Sequence, residues 1–422
     1  MASASKSCAT KISRNLLAPG VKSLRSYLQS ELDVLRRSPV LLISSEAGTA
    51  VESSSTNNIK AVADSCQWVK FTLGQQFSMR TVSTTISSAF PTKDSLEQTL
   101  ELMQRTGASS VVSVGSGAAM DLGKAVQANL VGSSSGTDTK NNTPLILVPT
   151  THSGVLAAGA SHSLFLDAEE DTLVPLPQSH QGILAAQPDG TCTHATVSTL
   201  EPQKYMDPMD ADKFDVLLYA VSAILLDAGL RKSTDLSLPI LLQDTINLIS
   251  LRNNVNNNDS EVKSSELMKL SSPLINLLYQ SAGLLSYGLS DGFEEEDNRS
   301  ITIALGSSLI PTLFPETHPM SFIASLAPGI CHFYSEQQQT QNIDNDDAND
   351  KLLRALVDRL QDQFSGGNML SPPSLVPRDE SLQGFSVPDM ALSHIQTNQA
   401  VWEPLDFPDD VLVQVLQHCM KH

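Results

Sequence analysis

Two short stretches of this chain carry residue types that could hold an anion. In the first, Val111-Val112-Ser113-Val114 runs into Gly115-Ser116-Gly117, followed by Ala118-Ala119-Met120-Asp121-Leu122-Gly123-Lys124. A strand with little polar content that passes through Gly-x-Gly into a helix start builds an anion site. The turn admits close backbone approach, and the first N–H groups of the helix point at the ligand's phosphates. Met120 breaks the Gly-x-Gly-x-x-Gly spacing of dinucleotide-binding turns, so by itself the stretch also fits an ordinary strand-to-helix turn. Asp121 and Lys124 follow on the first turns of the helix. In the second stretch, Pro144-Leu145-Ile146-Leu147-Val148 reads as a buried strand ending in Pro149-Thr150-Thr151-His152-Ser153-Gly154. Two strand ends carrying small hydroxyl and glycine residues make a crevice at the carboxyl edge of a parallel sheet, where such folds bind ligands.

Together these stretches resemble the iron-containing alcohol dehydrogenase family, which includes glycerol dehydrogenases and maleylacetate reductases. That family carries Gly-Gly-Gly-Ser-x-x-Asp-x-x-Lys and then Pro-Thr-Thr at about this separation. Here the second Gly and the Ser of the first motif are substituted, by Ser116 and Ala118. The second motif is most similar to the maleylacetate reductase version, with Val155-Leu156 where Ser-Glu should follow Gly154. The resemblance implies an NAD or NADP cofactor, with Gly115, Ser116 and Gly117 on the pyrophosphate. It sets Asp121, Thr150 and Thr151 on the nicotinamide and substrate side, and Lys124 completes the cofactor motif.

The family also holds a divalent metal, iron or zinc, on one Asp and three His, the first two as Asp-x-x-x-His on one helix face. The metal polarises the alcohol or carbonyl oxygen during hydride transfer. Asp215 matches the family Asp, but Tyr219 stands where the first His should be, and no His occurs between His194 and His318. A phenol is a poor replacement ligand. His318 in Thr317-His318-Pro319 matches the last ligand, one residue out of register with Pro328. Two of four ligands do not hold a catalytic metal, so a resident metal is doubtful on this reading. Something else must then meet the developing alkoxide, and Tyr219, His152 and His318 are the candidates.

Three readings follow. The first is an NAD(P)-dependent oxidoreductase acting on a small alcohol, aldehyde or keto acid, favoured by Asp121, Lys124 and the Thr-Thr pair. The second is a non-catalytic relative that keeps the fold and works as a nucleotide-binding or scaffold protein, favoured by the missing ligands and the altered glycine turn. A dehydroquinate-synthase-like lyase shares the architecture but fits Lys124 less well.

Several elements must position these residues. Leu24, Tyr27, Leu28, Leu32 and Leu35 keep helical spacing, Val40-Leu41-Leu42-Ile43 is a short buried strand, and Val69–Leu73 suggests another. Glu46, just past the first of these strands, could bond a ribose. Asp94 and Glu97 suggest a capping box, with Gly107 ending that helix. Strand–helix alternation up to residue 150 implies a parallel sheet. Residues 155–200 show little periodicity, and their histidines (His162, His180, His194) and the acids Asp167, Glu169, Glu170 and Asp171 match no metal spacing. Beyond residue 212 the pattern is helical, with Phe214, Leu217, Leu218, Val221 and Leu225 in one stripe. Ile240–Leu251 is a second helix and one opened by Ser271-Ser272-Pro273 a third. A last helix spans Val411–Met420. The expected fold is therefore an α/β N-terminal Rossmann-like domain followed by an all-α C-terminal domain. We divide the chain into a basic N-terminal tail or short transit segment (1–20), a dinucleotide-binding domain (21–200) and a helical domain (201–422). Polar insertions are expected near 253–265 and 337–350.

The bulk properties agree. At 422 residues the chain can bury two cores. A net charge of −19 excludes nucleic acid and an anionic membrane surface as partners. No apolar run is long enough to span a membrane. Five scattered cysteines with no Cys-x-x-Cys suggest reduced thiols inside a cell. The partners expected are a small-molecule substrate and, compatibly, a second copy in a homodimer. The expected compartment is cytoplasmic, or mitochondrial or plastid if the basic N-terminus is a transit peptide.

Overall fold

The computed structural model describes residues 14–17, 21–45, 56–133, 145–160, 163–167, 172–175, 195–198, 209–233, 235–255, 260–285, 300–310, 313–314, 317–341, 348–366, 369, 371–373, 375 and 415–416. Glu46, His162, His180, His194, Glu169, Glu170, Asp171 and most of the expected last helix lie outside them. The chain divides into two compact units, residues 1–158, 162–166 and 174–207, and residues 159–161, 167–173 and 208–422.

The first unit is built on β1 (Arg14–Leu17), α1 (Val21–Ser30), α2 (Leu32–Leu35), β2 (Val40–Ser45), α3 (Thr56–Phe71), β3 (Thr81–Ile86), α4 (Lys93–Thr106), β4 (Ser110–Gly115), α5 (Gly117–Ser133), β5 (Leu145–Pro149) and α6 (His152–Gly159). After β6 (Leu164–Asp167) and β7 (Thr172–Pro175), which form a separate two-stranded sheet, β8 (Ala195–Ser198) returns to the main one. The main sheet is parallel throughout, in the order β1-β8-β5-β4-β2-β3. Its first strand, Arg14–Leu17, comes from the stretch whose composition suggests a tail.

Strand periodicity decides which helices cover which face. Val40, Leu42, Val112, Val114, Ile146 and Val148 share one core with Leu24 and Leu28 of α1 and Val69 of α3. The alternate residues Leu41, Ile43, Val111, Leu145 and Leu147 are equally buried on the other face, where α5 packs through Gly123 against Ser113 and Leu145. A sheet covered on both sides explains the near-continuous apolar strands.

Three local expectations are corrected here. Val69–Leu73 is not a strand: it ends α3 and enters a single π-helical turn, Thr72–Gln76. A short apolar run has no period of its own, and here the face turned to the core is helical. The cap of α4 is Thr92, not Asp94: the Thr92 hydroxyl accepts the Ser95 N–H at 3.2 Å, and the Ser95 hydroxyl accepts the Thr92 N–H at 2.9 Å. Gly107 does end this helix, at φ +68°. The single helix expected over Leu24–Leu35 is broken into α1 and α2.

Residues 208–422 contain α7 (Ala211–Leu230), α8 (Leu238–Val255), α9 (Ser260–Ala282), α10 (Ile301–Leu309), α11 (Pro319–Gln341) and α12 (Ala348–Phe364). α8, α9, α11 and α12 extend into the polar runs at 253–265 and 337–350, so much of each is helical. Pro273 lies inside α9 and does not open it. α7 is buried on nearly every side and packs against α8, α9, α10, α11 and α12, as expected of a helix apolar all round. At its far end Asp227 organises the start of α10. Its carboxylate accepts the Ile301 and Thr302 N–H groups at 3.2 and 3.3 Å and the Thr302 hydroxyl at 2.8 Å. The Ser300 hydroxyl and Arg231 also bond it. A buried carboxylate thus serves as the helix cap, favoured by the positive end of the α10 dipole.

Candidate functional site

The chain leaves β2 for β3 on one side and crosses back to β4 on the other, so β2 and β4 flank the topological switch point of the sheet. Ligands bind in such folds outside the carboxyl ends of the strands at that point. Ser45 ends β2 and Gly115 ends β4. Gly115 has φ +134°, and a Cβ there would lie 2.5 Å from Ser45 Oγ, so glycine is required twice over. The Ser45 hydroxyl accepts the Ser116 N–H at 2.9 Å and pairs with the Ser116 hydroxyl at 2.8 Å.

The neighbouring strand end is tied to the same turn. The Gly115 carbonyl accepts the Thr150 N–H at 2.9 Å, and a Cβ on Gly154 would meet that carbonyl oxygen at 2.8 Å. Thr151 Oγ1 accepts the Gly154 N–H at 3.1 Å and pairs with Ser153 Oγ at 2.9 Å, which fixes the entry into α6. Two helix starts, at Gly117 and His152, thus stand at adjacent strand ends. The first N–H groups of α5 have no partner within their own helix, which suits an anion. Thr150 is fully buried, and its hydroxyl has no hydrogen-bond partner among the described residues. A glycine-only turn, an orphaned hydroxyl and helix N–H groups fit a dinucleotide phosphate.

Asp121 and Lys124 sit differently from the expectation that they face a ligand. They form an ion pair at 3.0 Å, and Lys124 Nζ also donates to the Ala157 carbonyl at 2.6 Å. The Asp121 carboxylate accepts the Leu164 N–H; burial pushes its carboxyl up, against the pull of Lys124. The pair braces α5 against α6 and β6. Gly123 lets α5 sit close on the sheet, since a Cβ there would lie 2.0 Å from Ser113 Oγ. His152 is buried in the first turn of α6.

In the second unit the Asp215 carboxylate is held by Arg252 at the end of α8. Arg252 Nε donates to Oδ1 at 2.7 Å and its Nη2 to Oδ2 at 2.9 Å, and both side chains are almost fully buried. Tyr219, one turn further along α7, is buried and stacks on Phe364 with ring centroids 5.7 Å apart. Burial, and next the charge of Asp215, push its phenol well above the usual range, against the effect of Arg252. It can donate a hydrogen bond but releases its proton reluctantly. His318 caps α11, its Nδ1 accepting the Met320 N–H at 3.1 Å. A metal-bound histidine instead donates through its second nitrogen. Among the described residues no three His, Cys, Asp or Glu side chains gather as a metal would need. The expected ligands Asp215 and His318 are committed elsewhere, so these residues do not fit the divalent metal that the family resemblance implies.

Sequence reasoning missed Ser45, Asp227 and Arg252, and gave Gly123 no packing role. Arg252 had a readable signal: it continues the buried stripe Leu241, Thr245, Leu248 and Ile249 of α8, and an arginine in a core position needs an acid partner.

The architecture is that of an α/β dinucleotide-fold domain joined in sequence to a helical domain. Residues 73–162 match the family model described as iron-containing alcohol dehydrogenase, and both motifs lie within that segment, so the family resemblance holds there. The fold agrees over nearly the whole chain. An iron-containing alcohol dehydrogenase from Thermotoga maritima is 13% identical at TM-score 0.58, covering 98% of this chain and 99% of that one. Maleylacetate reductase from Rhizobium sp. is 15% identical at TM-score 0.55, covering 98% of each chain. Maleylacetate reductase from Agrobacterium tumefaciens is 14% identical at TM-score 0.53, again covering 98% of each. No curated protein gives a significant sequence match. Among the described residues no helix is long and apolar enough to cross a membrane.

Proposed function

We propose that this chain is an NAD(P)-dependent oxidoreductase that passes hydride between nicotinamide and a small alcohol, aldehyde or keto acid. The observation that carries the reading is the Gly115 turn at the switch point, whose backbone and close packing accept only glycine. The names of the similar structures, alcohol dehydrogenases and maleylacetate reductases, support the reaction class. The pyrophosphate is assigned to the turn of Ser116 and Gly117 and the first N–H groups of α5, and Thr150 supplies a hydroxyl that has no partner among the described residues. A bound nicotinamide would give the hydride to a carbonyl or take it from an alcohol. The oxygen that gains charge needs a donor, and we assign His152, beside Thr150 and Thr151 in the chain, to that role.

The second reading, a nucleotide-binding or scaffold relative without turnover, is favoured by one specific observation. The Ser116 N–H, which could meet a phosphate, is already taken by Ser45. The two readings separate in a screen of purified protein with NADH and NADPH against small aldehydes and keto acids, following loss of nicotinamide absorbance. Turnover that falls in His152→Gln with cofactor affinity kept is the expected result. Saturable cofactor binding without turnover of any substrate class would leave the second reading.

A further inference from the structure

We propose that Arg252 is a built-in cation standing on Asp215 where a divalent metal would stand, and that it excludes metal from this position. Both carboxylate oxygens are occupied in fork-on-fork geometry, at 2.7 and 2.9 Å, the arrangement in which guanidinium matches carboxylate best. A guanidinium holds its charge at any working pH. A metal could reach Asp215 only by displacing a permanent cation, or by sitting beside it in a buried site where like charges repel strongly. The residues at the other expected ligand positions point the same way. Tyr219, at the i+4 position on the same helix face, offers a neutral phenol, and His318 uses Nδ1 to cap α11. The ion pair also fixes α7 to α8: Asp215 lies near the start of one helix and Arg252 near the end of the other. Arg252, in the last turn of α8, suits that end of its helix dipole. This inference concerns occupancy of Asp215 and does not rest on turnover. Its failure shows in metal content, whereas failure of the oxidoreductase reading shows in cofactor and substrate assays.

The experiment measures metal in the full chain as purified, and again after chelator treatment and exposure to Co2+ or Zn2+ followed by desalting. Far less than one equivalent is expected in each case, with an unfolding temperature moved by neither chelator nor metal. One equivalent that disappears in Asp215→Asn would overturn the proposal. The sharper arm compares Tyr219→His, which restores Asp-x-x-x-His but keeps the arginine, with Tyr219→His/Arg252→Met. The double variant is expected to bind Co2+ at least roughly tenfold more tightly, because the buried repulsion is gone. Equal affinity in the two variants, or no cobalt bound by either, would overturn the claim that Arg252 is what excludes the metal. Should the double variant fail to fold, Tyr219→His/Arg252→Gln, which keeps a donor for Asp215 without the charge, is compared with Tyr219→His in its place, with the same expected and overturning results. Asp215→Leu/Arg252→Met, which replaces the pair by apolar groups, is the metal-free folded control.

Discussion

Thr150→Val makes opposite predictions for the free and the cofactor-bound protein. Thr150 follows β5 directly, is fully buried, and its hydroxyl has no partner among the described residues. A buried hydroxyl left unsatisfied costs about 1–3 kcal/mol, and replacing it by an apolar group of the same shape recovers part of that. Valine keeps the branched shape, and the backbone N–H that bonds the Gly115 carbonyl is untouched. The free variant should therefore be more stable by about 1 kcal/mol, a rise of roughly 2–4 °C in unfolding temperature for a domain of this size. If the hydroxyl is unpartnered because a dinucleotide completes it, the bound state loses one hydrogen bond, about 0.5–1.5 kcal/mol. That is roughly a two- to tenfold weaker affinity for NADH or NADPH. Thermal unfolding with and without cofactor, together with a binding titration, reads both quantities. A variant less stable than the wild type with affinity unchanged would refute the reasoning, because the hydroxyl would then have a structural partner and no ligand.

Three further outcomes are expected. Gly115→Ala should lose on the order of 2–4 kcal/mol, from the positive φ and the contact with Ser45 together, and Ser45→Gly should recover part of it in a double-mutant cycle by chemical unfolding. Asp227→Ala should cost about 3–5 kcal/mol, because it uncaps α10 and leaves Arg231, which keeps its bond to the Leu284 carbonyl, without its carboxylate. Hydrogen exchange should then rise first in residues 301–304. Burial pushes the Cys66 thiol up to about 11 and the Cys331 thiol to about 12. Since each is raised above its unfolded value, folding disfavours the thiolate. The contribution of these thiols is complete at neutral pH and is lost as pH climbs from the ordinary thiol range toward 11 to 12. Both should resist alkylation in the native protein at pH 8, and Cys66→Ala/Cys331→Ala should flatten the alkaline loss of stability.

What could be read in advance divides along physical lines. The turn at Gly115 and the strand ending at Pro149 were legible because glycine and apolar runs report local backbone demands. Gly107 ended its helix for the same reason. Val69–Leu73 was misread because a five-residue apolar run fits a strand as well as the last turn of an amphipathic helix. The residues that commit the candidate site were hidden because their meaning lies in partners distant in sequence. Ser45 and Ser116 are 71 positions apart, and Asp215 and Arg252 are 37 apart. Asp215 alone reads as a ligand, and only the fold brings Arg252 onto it. Asp121 and Lys124 likewise sit on the motif positions, yet the helix turns them onto each other and onto α6.

The most direct test is a fluorescence titration of the purified, folded chain with NADH and NADPH, with Ser116→Trp, which fills the turn, as the control. Saturable micromolar binding that is lost in the control is the expected result. Absence of saturable binding of either cofactor by a sample with a cooperative unfolding transition would contradict it and leave only the fold in common with the dehydrogenases.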